Sequence, residues 1–147
     1  MLFPTHLAAA ALVGVRSRLS PLWLVVGATI PDAVDKPLAA VGVVELFHTV
    51  GHSALVLALA LPLIRVGPRS RAVVAGWASH LFLDAFHIVL NGRAEDTLFL
   101  GWPVTSPPTP LGIPPGEFFL YYLWSPSFFV ELGIWAALAV VLAQWLR

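Results

Sequence analysis

The chain has 147 residues, 59% of them hydrophobic and 11% charged, with a mean hydropathy of +0.86 and a formal net charge of zero. That composition lies far from a soluble domain and reads as an integral membrane protein, with room for about four to six spans of about 20 residues and no separate soluble domain. Its eight Lys and Arg are scattered without a polybasic run, which excludes a nucleic-acid surface, and it has no cysteine, so any metal must be held by imidazole and carboxylate.

In chain order, apolar stretches occupy residues 3–15, 21–31, about 46–66, 72–91 and about 117–146, and the loops between them hold most of the Pro, Gly and charge. The expected fold is all-α: a polytopic transmembrane bundle of about five spans, forming one membrane-embedded domain over residues 1–147. The first stretch is expected to stay in the mature fold rather than act as a signal peptide, because its positive charges, Arg16 and Arg18, follow the apolar run rather than precede it. The first two stretches are shorter than a full crossing, so they are tilted, extended at their ends or set in a thinned bilayer. Between residues 92 and 116 the segments Gly101-Trp102-Pro103, Pro107-Pro108, Pro110 and Pro114-Pro115-Gly116 exclude regular helix and suggest an ordered loop or lid. Ser125-Pro126 divides the last stretch into an interfacial turn of helix and a span over Phe128 to Leu146.

Arg16 and Arg18 fall between the first two spans, and Arg65, Arg69 and Arg71 between the third and fourth. The positive-inside rule places both loops in the cytoplasm and the N-terminus outside, with Lys36 and Arg93 on the outer side against the trend.

Against this apolar background stand Thr5-His6, Pro31-Asp32, Asp35, His48-x3-His52-Ser53 and His80-x3-Asp84-x2-His87. Ionisable groups inside a membrane are costly; they face cavities, pair with one another or bind ions. On the expected topology all of them converge on one membrane face: His6 starts the first span, Asp32 and Asp35 follow the second, His48 and His52 start the third, and Asp84 and His87 approach the far end of the fourth. The i, i+4, i+7 spacing of His80, Asp84 and His87 projects them from one helix stripe, and His48 with His52 repeats the i, i+4 relation. The candidate metal ligands are His6, Asp32, His48, His52, His80 and Asp84. Each has a plainer reading: a polar stripe joining helices, interfacial imidazoles, or caps at helix ends. Asp35 is open between ligand, outer-shell partner and ion pair with Lys36; Glu131 is a candidate for lining the cavity, and Glu45 or Glu117 for reaching the site from its loop end.

The order Thr5-His6, Pro31-Asp32-x2-Asp35, His48 through His52-Ser53 and Ser79-His80-x3-Asp84 resembles the prokaryotic inner-membrane metal-dependent hydrolases, over residues 1 to about 105 including Trp102-Pro103. A weaker similarity runs to zinc-dependent phospholipase C, which implies hydrolysis of a phosphoester. Two positions depart from the family pattern: His48 is followed by Thr49 rather than Arg, and His52 is preceded by Gly51 rather than Thr. A site of this kind lowers the pKa of a bound water to about 7 and polarises the scissile group. Mixed nitrogen and oxygen ligands suit zinc, with manganese or iron as alternatives, and the number of ligand candidates makes room for two ions. Asp35 and His87 are the catalytic candidates, with Asp35 as the base. The implied partners are the lipid bilayer and an amphiphilic or phosphorylated small molecule. The competing reading is non-catalytic: a structural metal site, or an ion-conducting or assembly partner. The cytoplasmic half of the expected bundle holds almost no polar groups, which disfavours a pathway across the membrane.

Overall fold

The computed structural model describes residues 1–108, 113 and 115–147, and among these every regular element is helical. The helices are α1 (Phe3–Arg16), α2 (Pro21–Ala40), α3 (Ala54–Ala60), α4 (Pro68–Leu90), α5 (Pro115–Tyr122) and α6 (Pro126–Trp145). Two 3-10 segments, Leu61–Arg65 and Ala94–Gly101, follow α3 and α4. Most helices begin with Pro at one of the first two positions, where its missing N–H costs nothing.

The bundle is built around the crossing of α2 with α4, and α1 packs against α2. Small residues allow this approach. A Cβ at Gly27 would strike the Val73 carbonyl, and one at Gly76 the Leu24 carbonyl, so each helix offers a notch to the other's backbone. Ala10, Leu24, Ala28 and Ala72 form the buried cluster at the crossing. Because α2 carries Asp32 and Asp35 while α4 carries His80 and Asp84, the contact that sets the bundle also sets the distance between ligand-bearing helices.

Two helices, α4 and α6, are long and apolar enough to cross a membrane. α2 has 20 residues but contains Asp32, Asp35 and Lys36, and α1 has only 14 residues. Several large apolar side chains face outward, including Leu59 at 82% and Phe82 at 67% exposure.

Three expectations need correction. The second helix does not stop at residue 31: it continues through Pro31 and Pro37 to Ala40, so Asp32 and Asp35 lie within it rather than after it. Helix formation beyond Pro31 is supported because both carboxylates find partners, Asp32 with Lys36 one turn on and Asp35 with the segment packed beside it. The third stretch is not helical from residue 46. His48 and His52 sit in an irregular segment, residues 41–53, and helix begins only after Ser53, whose hydroxyl accepts from the amides of Leu55 and Val56. The amides of Thr49, Gly51 and His52 are held by Asp35 and so are withdrawn from helical bonding. Lastly, the stretch taken as loop or lid contains a 3-10 helix over Ala94–Gly101, with Asp96 near its start paired to Arg93. Pro110 and Pro114 lie outside the described residues. At the end of the chain, the short α5 and the long α6 meet at Trp124, whose φ of 68° turns the backbone.

Candidate metal centre

His52 is the centre of the cluster and is fully buried. Its Nδ1 lies 2.7 Å from Asp35 Oδ2. Since a carboxylate only accepts, Nδ1 carries the hydrogen and the Nε2 lone pair faces the other way. His80, on α4 and also fully buried, is held in the same manner: its Nδ1 donates to the Ala28 carbonyl at 2.7 Å, which turns Nε2 inward. The two Nε2 atoms then stand 3.2 Å apart. Two imidazole lone pairs at that distance repel unless a proton or a metal cation lies against them, and the outward hydrogen bonds are the kind that fix metal-ligating histidines.

Carboxylates complete the arrangement. Asp84 Oδ2 lies 3.1 Å from His80 Nε2 and 3.5 Å from His52 Nε2, and Asp32 Oδ1 lies 3.6 Å from His52 Nε2. His6, near the start of α1, stacks on His80 with ring centroids 3.8 Å apart and places Nε2 at 3.0 Å from Asp84 Oδ1. His48 is the outermost, with Nε2 4.0 Å from Asp84 Oδ2 and its side chain 41% exposed. Three groups of ligand atoms result, each with its atoms within 4.8 Å of one another: His6, His80 and Asp84; Asp32, His52 and His80; and His48, His52 and Asp84. Any two groups share one residue, so the six side chains form one connected set that can hold a metal ion. Asp84 turns one oxygen to His6 and the Met1 ammonium and the other to His48, His52 and His80.

The structure thus brings together all six of the ligand candidates. Of the two catalytic candidates, Asp35 stands behind His52 and His87 lines the cavity that opens onto the cluster. Asp35 is completely buried and spends both oxygens on five hydrogen bonds: from the Thr49 amide and hydroxyl, the Gly51 and His52 amides, and His52 Nδ1. It touches the ligand cluster only through the back of His52. His87 is buried one turn beyond Asp84, in ring contact with Tyr122 at 5.1 Å. Lys36 pairs with Asp32 at 2.7 Å and not with Asp35.

In the irregular segment, burial alone would keep His52 neutral, but the hydrogen bonds it donates to Asp35 and Asp84 and the charges of Asp84 and Asp32 outweigh it and raise its pKa to about 9. His52 therefore holds a proton at neutral pH unless a metal displaces it.

Several residues hold the site through contacts that the sequence did not show, and Glu131 does so instead of lining the cavity. Trp77 Nε1 donates to the Gly51 carbonyl at 2.6 Å, and Ser53 Oγ donates to the Trp102 carbonyl at 2.6 Å, clamping the His48–His52 segment from both sides. Behind His6, Glu131 of α6 accepts from the Leu2 amide, the Thr5 hydroxyl and the Tyr122 hydroxyl, while Trp135 donates to Thr5. A buried glutamate in an apolar helix was visible as an anomaly; its partners, up to 129 residues away, were not.

A cavity of about 330 Å³ opens onto the cluster. Asp32, His48 and Asp84 form part of its wall, with Lys36, Glu45, Arg93 and Asp96 around them and apolar side chains such as Phe3, Phe47 and Phe99 beyond. Comparison with protein-family models, with curated proteins and with solved structures gave no match for this chain.

Proposed function

We propose that this protein is a multi-pass inner-membrane hydrolase that uses one or two divalent cations, zinc foremost, to cleave the phosphoester of an amphiphilic substrate. The reading is carried by the opposed Nε2 atoms of His52 and His80, set 3.2 Å apart among three carboxylate and imidazole groups. Such a nitrogen and oxygen donor set suits zinc, and the surplus of ligands over four favours two ions. A divalent cation held there supplies an acidic water and a Lewis acid for a phosphoryl oxygen.

The remaining chemistry belongs to the chain. Asp35 orients His52 and is a positioning residue, not the base. Lys36 holds Asp32 in place from the cavity rim. Excess acidity in the cavity, with Asp32, Glu45, Asp84 and Asp96 against Lys36, Arg93 and the Met1 ammonium that pairs with Asp84, suits a site that takes up cations before it receives an anionic group. In this account α1, α2, α3 with its 3-10 extension, α4 and α6 make five crossings. His6, Asp32 and Asp84 lie toward the ends of α1, α2 and α4 that are away from Arg16, Arg18, Arg69 and Arg71; with those arginines assigned to the cytoplasm, the proposed position of the cluster is near the outer face. A headgroup at the bilayer surface reaches this level.

The test is turnover of a short-chain phospholipid and of a soluble phosphate ester by detergent-purified protein, loaded with zinc or stripped by chelator. Hydrolysis that needs the metal and disappears in His80→Ala supports the reading. No turnover of either substrate by zinc-loaded protein, or turnover indifferent to the chelator, refutes it.

A further inference from the structure

The bundle carries a group of arginines that the metal centre does not use. Arg16 closes α1, Arg18 lies in the turn to α2, Arg65 closes the 3-10 segment after α3, and Arg69 and Arg71 stand in the first turn of α4. All five are exposed. Among the described residues, ion pairs are made by Lys36, Arg93, the Met1 ammonium and histidines, and none by these five arginines. The formal net charge of zero therefore hides a segregation, with carboxylates gathered about the ligand cluster and unneutralised positive charge on these two loops.

The two loops form one surface. Pro21 packs on Gly14 so closely that a Cβ there would meet its backbone, which folds the Arg16–Arg18 turn onto the start of α2. From the other loop, the Arg69 guanidinium lies over the Trp23 ring, 5.8 Å from its centroid. Trp23, in the first turn of α2, thus joins the two groups of arginines.

Guanidiniums held together without counter-ions repel one another, and an anion from outside relieves that repulsion. The neighbours say which anion fits. Leu22, Leu63 and Val66, beside the arginines in the chain, are exposed apolar side chains. A soluble phosphate would use the guanidiniums alone, whereas a phospholipid sets its phosphate on the arginines and its chains on the apolar side chains. Trp23 belongs to the residue type that marks the headgroup level of a bilayer.

We propose that this surface binds acidic phospholipid, with a lipid phosphate shared between the Arg16–Arg18 turn and the start of α4. The proposal rests on the assignment of the chain to a membrane and is independent of the hydrolase chemistry.

The test uses the full chain. Alkaline extraction of membranes comes first: protein released by alkali overturns the membrane assignment and this proposal with it. For protein that stays in the membrane, dissociation constants are measured in detergent by native mass spectrometry for dioleoyl phosphatidylglycerol and dioleoyl phosphatidylcholine, which share their chains. Phosphatidylglycerol should bind at least about tenfold tighter. Each arginine removed should weaken it about fivefold, so Arg18→Gln combined with Arg69→Gln should weaken it about 25-fold and abolish the preference. Zinc content should stay as in the wild type, because neither residue belongs to the ligand set. Arg16→Gln combined with Arg71→Gln leaves the Arg69–Trp23 contact in place and decides the matter if the first variant does not fold. Equal affinity for the two lipids, or a preference untouched by both double variants, would overturn the proposal while leaving the membrane assignment standing. Glycerol 3-phosphate binding as tightly as phosphatidylglycerol would overturn it as well, by assigning the surface to a soluble anion.

Discussion

Replacing Asp35 by Asn separates an orienting role from a catalytic one. The carboxylate accepts three bonds at Oδ2, from the Thr49 amide, the His52 amide and His52 Nδ1, and two at Oδ1, from the Gly51 amide and the Thr49 hydroxyl. An asparagine of the same shape keeps one oxygen. If it faces the three-donor side, an amide NH₂ meets the Gly51 N–H and leaves that buried donor unpaired, at a cost of about 1–3 kcal/mol. The surviving bonds also lose the strength that a charged acceptor gives them, so roughly 3 kcal/mol of stability should go in total. His52 would then be held less firmly. Outer-shell changes of this kind weaken metal binding about 10- to 100-fold, or about 1.4 to 2.7 kcal/mol. The assay is zinc affinity by chelator competition, with unfolding followed in parallel. If Asp35→Asn kept wild-type zinc affinity within twofold while abolishing turnover, Asp35 would be a base after all and its assignment as a positioning residue would be wrong.

Other perturbations probe the packing, the protonation and the far side of the site. Gly76→Ala should destabilise the bundle by at least about 2 kcal/mol and lower zinc occupancy with it, because the new Cβ meets the Leu24 carbonyl at the α2–α4 crossing; unchanged stability would contradict that crossing. With metal removed, the pKa of His52, raised from 6.5 to about 9, implies stability that is complete below pH 6.5 and lost as pH rises through about 9; a melting temperature that climbs over this interval would contradict the ion pairing around His52. Zinc should show the opposite trend, since it competes with that same proton: its affinity should increase from pH 6.5 toward 9, as read by titration at fixed ionic strength. Glu131→Ala should cost stability by leaving the Leu2 amide and the Thr5 and Tyr122 hydroxyls without their acceptor, and should weaken zinc binding less than His80→Ala does, because it reaches the site only through the start of α1.

The helical class and the gathering of ligands at one end were legible because polar residues stand out against apolar runs and because i, i+4 spacing fixes a helix face. His80 and Asp84 needed nothing more than their own helix. The course of α2 beyond Pro31 was not legible, since a stretch with two prolines and three charged residues reads as a loop until the partners of those charges are known. Asp35 illustrates the same limit: the sequence left it open between ligand, outer-shell partner and ion pair with Lys36, and its five bonds to residues 14–17 positions away make it the scaffold of the His48–His52 segment. The 3-10 helix over 94–101 was hidden because it runs directly into the proline-rich stretch that begins at Pro103. Of the described helices, α4 and α6 have both the length and the apolar character expected of a span, while α1 is short and α2 carries charge toward the site.

The central claim is that these six side chains hold metal. Elemental analysis of detergent-purified wild type, His52→Ala and Asp84→Ala, prepared side by side, tests it most directly. The account predicts one or two equivalents of zinc or another divalent metal in the wild type and loss in both variants, because His52 and Asp84 each belong to two of the three ligand groups. Folded wild-type protein that contains no metal and takes up no added zinc would contradict it.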